Sequence, residues 1–299
     1  MKILFITLSN IGDAIMTTPT LQRLHQIYPE AIIDLVCDAR SQILFEHCPY
    51  RGNIYIKNKK AGKKGLFSLI KQLRRTRYDL IVDLRTDGLA YLLRAKKRLT
   101  KWGRKSYGPH AVEDLISIID AINPNKTIPP TCVWFDQDHR DKADQLLNNV
   151  SGKELIAVGP GANWEPKIWK ADNFAKVLNE LGDQIGEIII LGGPNDQVYS
   201  EKLKNQLNRP CLDITGQTDL LTTAAVLARC QLFLGNDSGL GHLASAVDTA
   251  SVSVFGPGNP ERYHPWHERN IWLSGKKGDM NNIATDKVLA ATSRIIAEN

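Results

Sequence analysis

Four short stretches of the chain combine acids, small polar residues and glycines in patterns that suit chemistry. The first is Ser9-Asn10-Ile11-Gly12-Asp13, directly after the apolar run 3–8. If that run is a parallel strand, Asp13 stands at its carboxyl end, where ligands bind in open sheets. A carboxylate there can serve as a general base toward a hydroxyl, or it can cap a helix start; spacing alone leaves both roles open. The second is Gly159-Pro160-Gly161-Ala162-Asn163-Trp164, followed by Lys167 and Trp169. A glycine-rich turn lets backbone amides approach a phosphate, and a lysine adds charge. A surface loop with a solvated lysine is the plain alternative. The third is Gly192-Gly193-Pro194-Asn195-Asp196. Asp196 suits the hydroxyls of a ribose, although capping its own helix is the commoner role for such a residue. The fourth and strongest runs from Leu234 through Gly235-Asn236-Asp237-Ser238-Gly239-Leu240-Gly241-His242. A strand there passes into a helix whose first turn holds two glycines. Ser238, the free amides and the helix dipole make an anion site that fits a diphosphate. His242 either contacts that anion or is an ordinary helix-face histidine.

Other signatures are missing. The turn after the first strand is not GxGxxG, and there is no Walker A lysine motif, HExxH or nucleophile elbow. No His, Cys or acid cluster has the spacing of a structural metal site, so the sequence implies neither a metal nor a cofactor. The five cysteines are odd in number and widely spaced, which reads as buried free thiols.

These motifs need elements to hold them. Apolar runs at 3–8, 32–37, 54–57 and 80–84 read as strands, with helical patterns from Thr18-Pro19, at 65–75 and at 111–122 between and after them. Thr18 is the expected N-cap, with Pro19 at the first helical position. A second series begins at 155. Strands are expected at 155–158, 187–191, 212–214, 232–234 and 252–255, and helices at 171–181, 196–207, 219–228 and 239–247. Repeated strand–helix units imply parallel sheets with right-handed crossovers. The 299 residues are comfortable for two domains. The expected join lies at 148–153, giving an N-terminal domain 1–150 and a C-terminal domain 151–299. The last helix, at 286–297, is free to pack on either, including back onto the first. No apolar run approaches the ~20 residues that span a bilayer, and the N-terminal run is short for a signal peptide. The expected location is the cytoplasm.

Charge is unevenly spread. Residues 51–105 hold 18 Lys and Arg against Asp79, Asp83 and Asp87, a net +15, while the remainder carries −9. A separation this large marks one part of the molecule as facing an acidic partner. Nucleic acid, anionic lipid and phosphorylated saccharide all qualify. Phe67, Tyr78, Tyr91, Trp102 and Tyr107 interleave with the basic residues, but they fall mostly in helices and strands as core candidates. No nucleic-acid-binding signature accompanies them, so no nucleic-acid partner is expected.

Taken in order, the motifs resemble glycosyltransferase family 9. Ser9 to Asp13 with Pro19 resembles its N-terminal signature. Asp237-Ser238-Gly239, His242-Leu243-Ala244 and Phe255-Gly256-Pro257, with Pro260 and Pro265-Trp266, resemble its C-terminal one. Pro160-Gly161-Ala162 with Lys167 and Trp169, Gly192-Gly193-Pro194, and His110-Ala111-Val112-Glu113 match further family motifs. The resemblance spans nearly the whole chain. It implies the α/β GT-B fold, two Rossmann-like domains with parallel sheets facing a central cleft. It also implies inverting transfer of heptose from ADP-heptose to the lipopolysaccharide inner core. By position, Asp13 resembles the general base and Lys167 the lysine near the donor phosphates; these two are the expected catalytic pair. Ser9, Asn10, Gly12, Gly161, Asp196, Asp237, Ser238, Gly239 and His242 are the expected donor-binding set. Two positions depart from the family: Asp248-Thr249-Ala250 stands where Gly-x-Pro is usual, and Gly258 replaces a threonine.

Such a transfer needs a base for the acceptor hydroxyl and donors for the departing diphosphate. Asp13 supplies the first; Lys167 and the Gly239 helix start supply the second without calling on a metal. The basic segment falls in the expected acceptor domain, with Lys59, Lys60, Lys63 and Lys64 as its lysine cluster. An anionic glycolipid acceptor is therefore the expected second partner, with peripheral contact at the inner face of the cytoplasmic membrane. Three competing readings are a GT-B transferase with another donor or acceptor, a Rossmann-type protein using its basic face on nucleic acid, and an inactive transferase. The presence of both Asp13 and Lys167 argues against the last.

Overall fold

The computed structural model describes residues 1–148, 150 and 154–298, and only the backbone of Lys59. The chain divides into two compact units, Met1–Trp134 and Phe135–Asn299. In the first unit the elements are β1 (Lys2–Ile6), α1 (Ile11–Ile15), α2 (Thr18–Ile27), β2 (Ile32–Cys37), β3 (Arg51–Ile56), α3 (Gly62–Leu73), β4 (Tyr78–Asp83), β5 (Ala95–Leu99) and α4 (Ala111–Ile116). The strands form one parallel sheet in the order β3-β2-β1-β4-β5. Ile3 to Ile6 are fully buried, as a continuous apolar run in a central strand requires.

The second unit holds α5 (Gln137–Leu146), β6 (Ile156–Gly159), α6 (Ala171–Leu181), β7 (Ile188–Ile190), α7 (Gln197–Lys204), β8 (Cys211–Asp213), α8 (Leu220–Leu227), β9 (Leu232–Asn236), α9 (Gly239–Ser245), β10 (Ala250–Phe255), α10 (Pro260–Tyr263), β11 (Asn270–Ser274) and α11 (Thr285–Ala297). Its parallel sheet runs β11-β10-β9-β6-β7-β8. In both sheets the strand order reverses beside the first strand, between β1 and β4 and between β6 and β9. Loops at the carboxyl ends of those strands flank the crevice where such sheets take ligands.

Several expectations are corrected. The units divide after Trp134 rather than at 150, because α5, expected in the first domain, packs against α8 of the second. Of the expected join at 148–153, residues 149 and 151–153 lie outside the described residues. The final helix α11 packs on α6, with Val288 and Ile295 in the same core cluster as Phe174, so it belongs to the second unit. Thr17, not Thr18, occupies the N-cap of α2, and the Thr18 hydroxyl donates to Ile15 O at 2.7 Å. The core reading of the aromatics holds for Tyr78, which is fully buried, but fails for three others. Phe67 and Trp102 are 72% and 74% exposed, and Tyr91 is exposed as well.

Candidate active site

Asn236 ends β9 and is fully buried. Its Oδ1 accepts from Trp169 N at 2.9 Å, while its Nδ2 donates to Pro160 O at 2.8 Å and Gly161 O at 3.3 Å. One side chain thus ties both ends of the loop after β6 to the end of β9. That loop carries Lys167, whose Nζ lies 2.6 Å from Asp237 Oδ2. The lysine side chain keeps 28% of its surface exposed and the aspartate 9%. Ser238 follows at the N-cap position of α9, yet its hydroxyl does not cap the helix. Its Oγ is buried with no hydrogen-bond partner among the described residues. A buried hydroxyl in that condition beside a lysine and free helix amides is suited to a ligand oxygen. Gly239 is half-buried there, and His242 lies one turn on, on the buried face of α9.

Asp196 joins the neighbouring loop. It occupies the N-cap position of α7 without a side-chain bond to that helix, and its Oδ2 accepts from Gly193 N at 2.8 Å. The carboxylate therefore closes the turn ahead of α7 instead of capping α7. A Cβ on Gly161 would come within 2.2 Å of Asp196 Oδ1, so only glycine permits this approach of the loops after β6 and β7. At Gly258, the departure from the family threonine, a Cβ would lie 2.7 Å from Asp237 Oδ2, the end of a side chain that can turn aside.

In the first unit Ser9 and Asn10 follow β1, and Gly12 and Asp13 lie in α1. Asp13 is the third residue of that helix, not its N-cap; Asn10 is. The half-buried Asp13 carboxylate accepts from Asn10 Nδ2 at 2.9 Å. The switch-point partner strand β4 contributes groups that sequence reasoning missed. Arg85 donates from Nε and Nη2 to Thr7 O at 3.4 and 3.3 Å, placing a cation at the end of β1. Asp83 is fully buried; its Oδ1 accepts from the amides of Arg85 and Thr86 at 3.0 and 2.8 Å. Burial pushes its carboxyl above the ordinary range, opposed by the Thr86 amide.

Lys60, Lys63 and Lys64 follow β3 and are exposed, with no ion pair among the described residues. The side chain of Lys59 lies outside what is described. Asp79 is engaged by Lys96 at 2.7 Å and Asp87 by Lys57, so the acids of this segment leave the cluster uncompensated. The family-like helix start at His110 is a capping box: Val112 N donates to His110 Nδ1 at 3.2 Å, and His110 N to Glu113 Oε2 at 2.9 Å. The cysteines are free. Burial raises Cys37, Cys132 and Cys230 to about 12 and Cys48 to about 11, which keeps them protonated and poor nucleophiles.

Two Rossmann-like units, each with its polar loops gathered at a switch point, are the architecture of GT-B glycosyltransferases. The sequence profile of glycosyltransferase family 9 (heptosyltransferase) matches residues 66–291, and the chain belongs to that family. It is 26% identical to lipopolysaccharide heptosyltransferase 3 of Escherichia coli K12, over 96% of this chain and 96% of that protein. The crystal structure of a family 9 glycosyl transferase from Veillonella parvula superposes with a TM-score of 0.89 at 22% identity, covering 100% and 97% of the two chains. E. coli heptosyltransferase WaaC, solved with ADP-2-deoxy-2-fluoro heptose, gives 0.73 at 19%, with both chains fully covered. At such identities the two structures establish the fold. The protein is a glycosyltransferase.

Proposed function

We propose that this protein transfers heptose from ADP-heptose to the lipopolysaccharide inner core, with inversion at the anomeric carbon. The observation that carries the reading is the Lys167–Asp237 pair beside the unpartnered Ser238 hydroxyl, in a chain related along its length to a lipopolysaccharide heptosyltransferase. The second unit takes the donor. Lys167, Ser238 and the amides from Gly239 receive the diphosphate, Asp196 receives the ribose hydroxyls, and His242 lies on the same helix start. The first unit takes the acceptor. Asp13 removes the proton of the attacking hydroxyl; that oxygen bonds to the anomeric carbon as the bond to the diphosphate breaks, and ADP leaves. Charge gathers on the departing phosphate, where a lysine and helix amides act most strongly. Ser9, Asn10 and Gly12, expected to touch the donor, lie in the turn that presents Asp13. The lysine cluster meets the carboxylates and phosphates of the acceptor on the cytoplasmic side of the inner membrane.

A second reading, a different nucleotide sugar, has one observation behind it: Gly258 stands against Asp237 where the family has threonine. Thermal unfolding with ADP-heptose, a GDP-sugar and a UDP-sugar separates the two. Ligand at a hundred times its Kd adds about 2.7 kcal/mol to stability. The proposal expects a rise in Tm with ADP-heptose alone. A rise with a GDP- or UDP-sugar and none with ADP-heptose assigns the other donor.

A further inference from the structure

We infer that the outer side of α3 and the segment 89–102 form a ridge that inserts apolar side chains into the headgroup region of an anionic bilayer. This deepens the membrane-side reading of the basic segment given above. Helix α3 is held to its sheet by Leu69 and Leu73, which are 3% and 0% exposed. Phe67 stands away from that face at 72% exposure, with Leu66 partly exposed beside it. Residues three and four apart are neighbours on a helix. Phe67 is therefore flanked by Lys63, Lys64 and Lys71, with Arg74 one turn further along.

The second half of the ridge lies on the same side of the sheet, because Leu89, Ala90 and Leu93 bury into the same cluster as Leu69 and Leu73. Between them Tyr91 and Leu92 are exposed. Trp102, 74% exposed, stacks on Tyr91 with ring centroids 5.7 Å apart. Five large apolar side chains thus share one face of the first unit with uncompensated lysines and arginines. Phe and Trp amid Lys and Arg are the composition of surfaces that lie in a bilayer interface, where apolar burial and attraction to anionic lipid add. Single-stranded nucleic acid also favours aromatics and cations. Here, however, Tyr91 and Trp102 already stack on each other, and Leu66 and Leu92 offer nothing to a base. A lipid interior rewards all five.

The test uses the full chain and vesicles of phosphatidylcholine with or without phosphatidylglycerol. Wild type should sediment with the anionic vesicles, and the Phe67→Ser/Trp102→Ser double variant should lose roughly tenfold or more in partitioning. Tm and the rate of transfer to a delipidated inner-core acceptor should stay the same. Brominated lipid should quench tryptophan emission in wild type and less in Trp102→Phe. Vesicle binding that is absent in wild type, or unchanged in the double variant, overturns the inference. Loss of transfer to the delipidated acceptor in the double variant does so too, since it would place the ridge in the sugar site. Binding of single-stranded RNA that the double variant abolishes identifies the other partner. Failure of the heptose reading would appear separately, as no transfer from ADP-heptose by wild type, with the vesicle result unaffected.

Discussion

In the proposed reading Lys167 receives the donor diphosphate, and its ammonium is paired with Asp237. The 2.6 Å contact between Lys167 and Asp237 involves a carboxylate that is 9% exposed, so the pair is only partly screened by water. Lys167→Ala should weaken ADP binding by about 1.5–3 kcal/mol, the range for a hydrogen bond to a charged group. Adenosine, which lacks the phosphates, should bind as before. Calorimetry with both ligands measures this, and equal weakening of the two would remove the lysine from the phosphates. The sequence singles out Asp13, Lys167 and Ser238 as candidates because each stands in a motif that follows an apolar run. It does not single out Asn236 or Arg85. Asn236 acts across 67 to 76 residues, bonding Trp169, Pro160 and Gly161, and Arg85 reaches 78 residues back to Thr7. Contacts that distant leave no local pattern; the one sign was a polar residue closing an apolar strand.

At the scale of elements, buried strands and amphipathic helices declare themselves. β2 and α6 match the ranges read from periodicity, since one buries five of its six residues and the other a clear apolar face. Two of the four edge strands do not. β5 reads Ala-Lys-Lys-Arg-Leu, and β11 is half-exposed with only Ile271-Trp272-Leu273 apolar, whereas the edge strands β3 and β8 fall where apolar runs were read. The exposed aromatics were misread for a related reason: Phe67 lies on a real amphipathic helix, but on its solvent side. The lysines at the start of α3 give a prediction at this scale. Exposed charges are screened over ~10 Å at 0.1 M salt. Raising salt should therefore increase KM for the acceptor more than KM for the donor. Changing Lys59, Lys60, Lys63 and Lys64 together to alanine should mimic high salt with Tm nearly unchanged, because isolated surface charges add little to folding. Acceptor KM indifferent to both changes would make the cluster a solvated face.

For the whole molecule, two alternating strand–helix series were enough to foresee two parallel sheets. The division between the units was not foreseen. Helix α5 buries little of its own sequence, Ala143 being its one fully buried residue, so its attachment to α8 has no apolar signature. No helix among the described residues is long and apolar enough to cross a membrane.

The proposed reading makes Asp13 the base that takes the proton of the acceptor hydroxyl. Single-turnover transfer from ADP-heptose to an inner-core acceptor by wild type and Asp13→Asn tests this most directly, with ADP affinity measured alongside. The account predicts an unchanged ADP affinity and a rate lowered ~10²–10⁴-fold, the usual contribution of a positioned base. A variant that keeps more than about a third of the wild-type chemical rate, on the scale of that same contribution, would contradict it.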